Sequence, residues 1–256
     1  MEDRFTEAQR RNKRMELVTP APSSKSLATQ AFERLRNDIL GGQLRPEMRL
    51  RIQALSERYG IGATAIREAL SRLVTDGFVE LEDQRGFCVA SVSREELMDL
   101  TRTRIEVESL ALRSAIADGD LEWESGILSA FHRLSKTPVP ATPDLHVPWA
   151  AAHQQFHEAL LAGCSSPWTL RLCRLLYDQS ERYRNLAERY TSRQKRDPVV
   201  EHREMMDAAM SRQADKAVQL LNAHFWETTE IILQAVFGDG DKSQTKPTRM
   251  PKERGS

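Results

Sequence analysis

From Arg94 onwards the chain carries apolar residues at helical spacing and shows no further strand signal. That change of period most restricts the fold. The second half must bury its apolar faces helix against helix, as a bundle. The pattern predicts helices over 94–118, 121–135, 149–163, 167–191, 198–211 and 213–235, interrupted by one proline-rich loop, KTPVPATPDLHVP.

The part before Arg94 reads differently. LATQAFERLRNDIL, Leu27 to Leu40, places Ala28, Phe32, Leu35 and Ile39 on one face, and Gly41-Gly42 ends the helix. A short helix follows around Gln53 to Tyr59, and Gly60 permits a sharp turn. A third helix runs from Ala63 to Thr75, with Ile66, Leu70, Leu73 and Val74 inward and Thr64, Arg67 and Ser71 opposite. DGFVELEDQRGFCVASVS is then two extended runs joined by a turn through Asp83–Arg85, a hairpin pattern. Helix, helix, tight turn, helix, hairpin is the order of a winged helix-turn-helix. The expected fold is therefore mainly α: a winged helix-turn-helix over 26–93 and an all-α bundle over 94–237. A flexible arm is expected over 1–25 and a disordered tail over 238–256.

Lys+Arg and Asp+Glu both number 37, so a nucleic-acid surface would have to be local. No apolar run approaches the ~20 residues of a membrane helix, and the first 25 residues lack the apolar centre of a signal peptide. Three cysteines without C-x-x-C spacing suggest neither a disulfide framework nor a zinc knuckle. These features read as a soluble cytoplasmic protein with no membrane partner.

In a helix-turn-helix the start of the second helix enters the major groove. Arg67 is the candidate base contact, because a guanidinium can bridge two guanine acceptors. Thr64 and Ser71 suit phosphate, as do Arg49, Arg51 and Arg72. Arg85-Gly86 sits at the hairpin tip, where a wing touches minor groove or backbone.

HQQFHEALL carries His153 and His157 at i and i+4, on the same side of a helix. His202 and His224 also fall inside helices with apolar neighbours. Imidazoles from facing helices can close a zinc, nickel or copper site inside a bundle. Spacing alone equally allows ordinary exposed histidines. Gln154 stands where a metalloprotease needs its glutamate base. No G-x-S-x-G, P-loop or G-x-G-x-x-G run appears, and the three cysteines read as packing residues. No enzyme is expected.

The segments DILGGQLRP, LSERYGI, IREALSRL, DGFVE and RGFCV resemble the DNA-binding domain of the GntR family of bacterial transcription regulators. The resemblance implies that Arg67 contacts an operator and that Gly86 shapes the wing. Ala63 departs from it, since many relatives carry arginine just before that threonine. The pieces RTRIEVESLALRSAI, HQQFHEALL, EHREMMDAAM and DKAVQLLNAHF resemble the FCD effector domain of the FadR-type subgroup. That implies a divalent metal, zinc or nickel, at His153, His157, His202 and His224, with His153 in the place of a usual aspartate. It further implies a double-stranded operator bound by a homodimer and a small organic acid as effector. Arg104, in R-x-x-x-E with Glu108, is then the expected carboxylate partner, with Arg182 and Arg184 as further candidates. The Arg104–Glu108 spacing equally suits a surface ion pair. Two alternatives stand beside this: a helical metalloenzyme with an appended DNA-binding module, and a constitutive DNA-binding protein whose helical half only dimerises.

Overall fold

The computed structural model describes residues 25–83, 85–138, 146–187 and 197–238. The expected arm and tail, most of the proline-rich loop and the end of the helix expected over 167–191 lie outside the described residues. The described elements are α1 (Leu27–Leu40), α2 (Ile52–Tyr59), α3 (Ala63–Thr75), β1 (Val79–Glu82), β2 (Gly86–Val89), α4 (Arg94–Asp118), α5 (Leu121–Lys136), α6 (His146–Leu161), α7 (Pro167–Ala187), α8 (Pro198–Met210) and α9 (Ala214–Ile232). A π-helical turn, Leu233–Phe237, continues α9.

Ser26 caps α1 by accepting from the Thr29 N–H at 3.1 Å. Gly60 ends α2 at φ 65°, a left-handed cap that glycine adopts without strain, and the chain can then re-enter a helix within three residues. Ile66, Ala69, Leu70 and Leu73 of α3 are fully buried against Leu35 and Ile39 of α1. The opposite face of α3 is thereby left to solvent.

β1 and β2 pair antiparallel in the register Val79↔Val89 to Glu82↔Gly86. A third extended segment, just before α2, joins the wing. The Leu50 N–H donates to the Phe87 carbonyl at 2.8 Å, and the Val89 N–H donates to Met48 at 2.9 Å. This edge pairing was not expected from the sequence, and it brings Arg49 and Arg51 beside the wing.

The helical half is organised by α4. Ser93 caps it, and Glu95 and Glu96 in its first turn complement the helix dipole. Its buried residues Leu97, Thr101, Arg104, Glu108, Ala111 and Ala115 follow each other at alternating spacings of four and three, the seam by which a helix packs between neighbours. The neighbours are α7 and α9. Ile127, Phe131, Phe156, Leu160 and Leu221 form the apolar end of the same core. Among the described residues no helix is long and apolar enough to cross a membrane.

Candidate nucleic-acid interface and candidate metal centre

Arg49, Arg51, Arg67, Arg85 and Gly86 line one surface depression between α2, α3 and the wing. Residues from three separate parts of the sequence thus share one face. Gly86 opens β2 at φ 77°, so the tip turns tightly enough to hold Arg85 on that face. Arg85 also pairs with Glu82 at 3.1 Å. Thr64 and Ser71 are exposed on α3. Arg72 does not join the cluster, because its guanidinium lies 4.2 Å from the Phe32 ring centroid and packs on α1.

The four histidines meet. His153 and His157 project from α6, His202 from α8 and His224 from α9, all buried, with one ligand atom of each within 4.8 Å of the others. Two rings are oriented from behind. The Nδ1–H of His202 donates to the Pro198 carbonyl, and that of His224 donates to a Glu201 carboxylate oxygen at 3.1 Å. In both, the proton on Nδ1 puts the lone pair on Nε2. A carboxylate or carbonyl behind the ring is the usual support of a metal-binding imidazole.

His153 is held differently. Arg184 Nη1 lies 3.0 Å from its Nδ1, and a guanidinium can only donate. Nδ1 therefore accepts, which places the ring proton on Nε2, 3.2 Å from Nε2 of His157. Coordination through His153 Nε2 requires Arg184 to release Nδ1. Burial first, then the Arg184 charge, holds His153 well below the ordinary histidine value. Burial, then the imidazoles of His224 and His202, does the same for His157. Both rings are neutral near pH 7, the form that binds metal. The donor set fits a borderline divalent ion, with His157, His202 and His224 ready and His153 conditional.

Of the arginines singled out in the sequence, Arg104 and Arg184 reach this centre and Arg182 does not. Arg104 Nε donates to Glu108 Oε1 at 2.7 Å, with the two residues 7% and 1% exposed, so this is a buried pair and not a surface one. Its guanidinium lies 4.0 Å from the Phe225 ring centroid. Burial pushes the Glu108 carboxyl up, and Arg104 opposes the rise. Arg182 instead donates to Glu96 at 3.0 Å, at the start of α4. Its position on α7 is two residues off the inward row Tyr177, Ser180, Arg184.

Two cavities adjoin the centre. One, lined by Thr101, Arg104, His153, Ser180, Arg184 and His224, has a volume of about 20 Å³, room for a single water. The other, about 450 Å³, opens between α6 and α7 and reaches His157, Glu108, Cys173 and Tyr177. Tyr177, Ser180, Thr101 and Glu201 were not singled out in the sequence. Their signal was present: Thr101, Arg104 and Glu108 interrupt the apolar seam of α4 with polar groups, and Tyr177 and Ser180 do so on α7.

The family model described as bacterial regulatory proteins, gntR family, matches residues 27–89, and the FCD domain model matches residues 99–226. The HTH-type transcriptional regulator BphR of Paraburkholderia xenovorans is 39% identical over 218 residues, 84% of this chain and 89% of that protein. The chain belongs to the GntR family and carries an FCD domain. The HTH-type transcriptional repressor GlaR of Escherichia coli is 35% identical over 209 residues, 80% of this chain and 95% of that one. The solved structure of McbR/YncC from E. coli superposes with a TM-score of 0.69 at 20% identity, covering 82% and 99% of the two chains, which speaks for the fold. As a GntR regulator the chain is a DNA-binding transcription factor and not an enzyme.

Burial pushes the Cys173 thiol up to about 12, with the Glu108 carboxylate adding to the rise. A thiol that far up holds almost no thiolate near neutrality. Cys173 should therefore resist iodoacetamide at pH 8 while the protein is folded, and react fully in urea. Peptide mass spectrometry at matched times checks this, and equal labelling in both conditions would contradict the buried placement.

Proposed function

We propose that this GntR regulator is a homodimer that binds a pseudo-palindromic operator and responds to a small organic acid at a metal centre. In this reading residues 26–93 are the DNA-binding unit and residues 94–237 the sensing and dimerisation unit. The metal part rests on one observation, the four buried imidazoles drawn from three helices around one point. His157, His202 and His224 would hold zinc or nickel, and His153 would complete the set when Arg184 moves off it. A divalent ion there supplies a Lewis-acidic position for a carboxylate. Arg104 and Arg184 orient that carboxylate, Thr101 and Ser180 offer hydroxyls beside them, and the packed seam around them excludes water. The cavity of about 450 Å³ on the other side of His157 has the size of a small-molecule site.

On the DNA side Arg67 reads a base, Arg49, Arg51 and Arg85 contact phosphates, and Thr64 and Ser71 add hydroxyls from the exposed face of α3. Ala63 lines the same depression, so the position that carries arginine in many relatives contributes no charge, and the operator differs accordingly. One such helix reads only a few base pairs, too few for useful genomic specificity. Two copies are needed, and the exposed apolar row Trp168, Leu172 and Leu175 on α7 supports a second copy. Genomic DNA as the partner places the protein in the cytoplasm.

Arg67→Ala should weaken specific operator binding by about 1–3 kcal/mol, the worth of a good bidentate base contact. The fold should be retained, because the residue lies opposite the buried face of α3. Gel-shift titration at fixed salt, on an operator selected from random duplex, measures it. Retention of the wild-type preference for operator over random DNA would remove Arg67 from base reading.

His202→Ala or His224→Ala should lower zinc affinity by at least about 100-fold, and His153→Ala by about tenfold or less. Competition with a chromophoric chelator gives all three values. Equal losses at the three positions would make His153 an ordinary ligand. Wild-type uptake below about 0.2 zinc per chain would dispose of the metal and the carboxylate mechanism together.

A further inference from the structure

The histidine centre and the winged domain are joined by two turns of one helix. On the inner face of α7, the Tyr177 hydroxyl lies 3.3 Å from His153 Nδ1 and Arg184 Nη1 lies 3.0 Å from the same atom. Between them in sequence, the helix presents other residues to the DNA-binding half. Asp178 Oδ1 pairs with Arg36 of α1 at 2.5 Å. The Gln179 carboxamide donates to the Asp76 carbonyl at 2.6 Å. Asp76 caps the C-terminus of α3, the helix that carries Arg67, and its own N–H is bonded to the Arg72 carbonyl.

These are point contacts. A cleft of about 450 Å³, lined in part by Phe32, Arg36, Gln154 and Asp178, separates α1 from α6 and α7. The two polar bonds are thus direct ties between the winged domain and the bundle. The fit around Gln179 is close, since a Cβ added at Gly77, φ 75°, would meet its Nε2 at 3.3 Å. Beyond it, the Tyr183 hydroxyl bonds Ser93 and Glu96, and Arg182 bonds Glu96. The same helix therefore also grips the junction between the halves. A helix is stiff over two turns, and small helix shifts are a recognised means of passing a signal between units. A ligand that displaces the α7 backbone at Arg184 or Tyr177 moves Asp178 and Gln179 with it.

We propose that Asp178 and Gln179 are the coupling by which the state of the histidine centre sets the position of the recognition helix α3. The claim rests on the reading of that centre as a ligand site, and its test separates the two. Operator affinity of the full chain is measured by fluorescence anisotropy at fixed salt, in a cycle that combines a change at the centre, Arg184→Gln, with a change at the contact, Asp178→Asn plus Gln179→Ala. Arg184→Gln alone should shift operator affinity by at least about 5-fold, the lower range of allosteric couplings. In the Asp178→Asn, Gln179→Ala background the same substitution should shift it by less than about 2-fold, because coupled sites are not additive. Gln179→Glu, which replaces the donor facing the Asp76 carbonyl with an acceptor, should also uncouple without removing side-chain volume.

An equal effect of Arg184→Gln in both backgrounds, or none in either, would overturn the proposal. Zinc affinity measured on the same proteins reports separately on the centre. The contact variants should keep the wild-type zinc affinity. Loss of zinc binding in the wild type would sink the metal reading while the cycle still decides the coupling.

Discussion

The helical half depends on one constraint: polar groups taken into its core must find partners there. An unpaired buried charge is far more costly than a paired one, and breaking such a pair costs about 3–5 kcal/mol. Arg104 and Glu108 satisfy each other one turn apart on α4, and the guanidinium also lies over Phe225. Thr101 bonds Thr229 across to α9 at 2.7 Å. Around this strip α6, α8 and α9 can bring four imidazoles together without filling the space with aliphatic carbon. A chain built for stability alone would run leucine along that seam. The polar residues at its middle are the ones that the proposed ligand site would use.

The same logic explains which parts were legible in the sequence. Helix periods depend on local spacing, so α1, α3 and α4 were expected with the ends they have. The four histidines were legible as a set only through the family resemblance; their spacing left both readings open. What escaped prediction was set by contacts distant in sequence. Arg49 and Arg51 join Arg67 because the backbone before α2 pairs with β2, and a short alternation such as MRLRI does not name its partner strand. Arg72 turns towards Phe32 because α1 supplies a ring there. Arg104–Glu108 has the spacing of an exposed pair, and only the placement of α7 and α9 buries it. Arg182 and Arg184 differ by two positions, enough on a helix to send one to α4 and the other to His153.

The pairing of the pre-α2 segment with the wing also ties the parts of the DNA-binding half together. Helix-turn-helix and wing share one core, in which Leu50, Leu70 and Val89 are all buried. The arginines proposed to contact bases and backbone therefore sit on a unit with one core. It meets the bundle at the junction before α4 and at the α7 contacts.

The central cavity, with room for one water, has a kinetic meaning. On the proposed reading, an acid that is to reach His153 from this side must wait until the side chains around it stand aside, so it binds only the open fraction of molecules. Its apparent dissociation constant is the intrinsic value divided by that fraction. Association then levels off with concentration at the rate of opening, where an open pocket would give a rate that keeps rising. On the proposed reading, the speed of the response is then set by the protein's own opening and not by how much acid surrounds it.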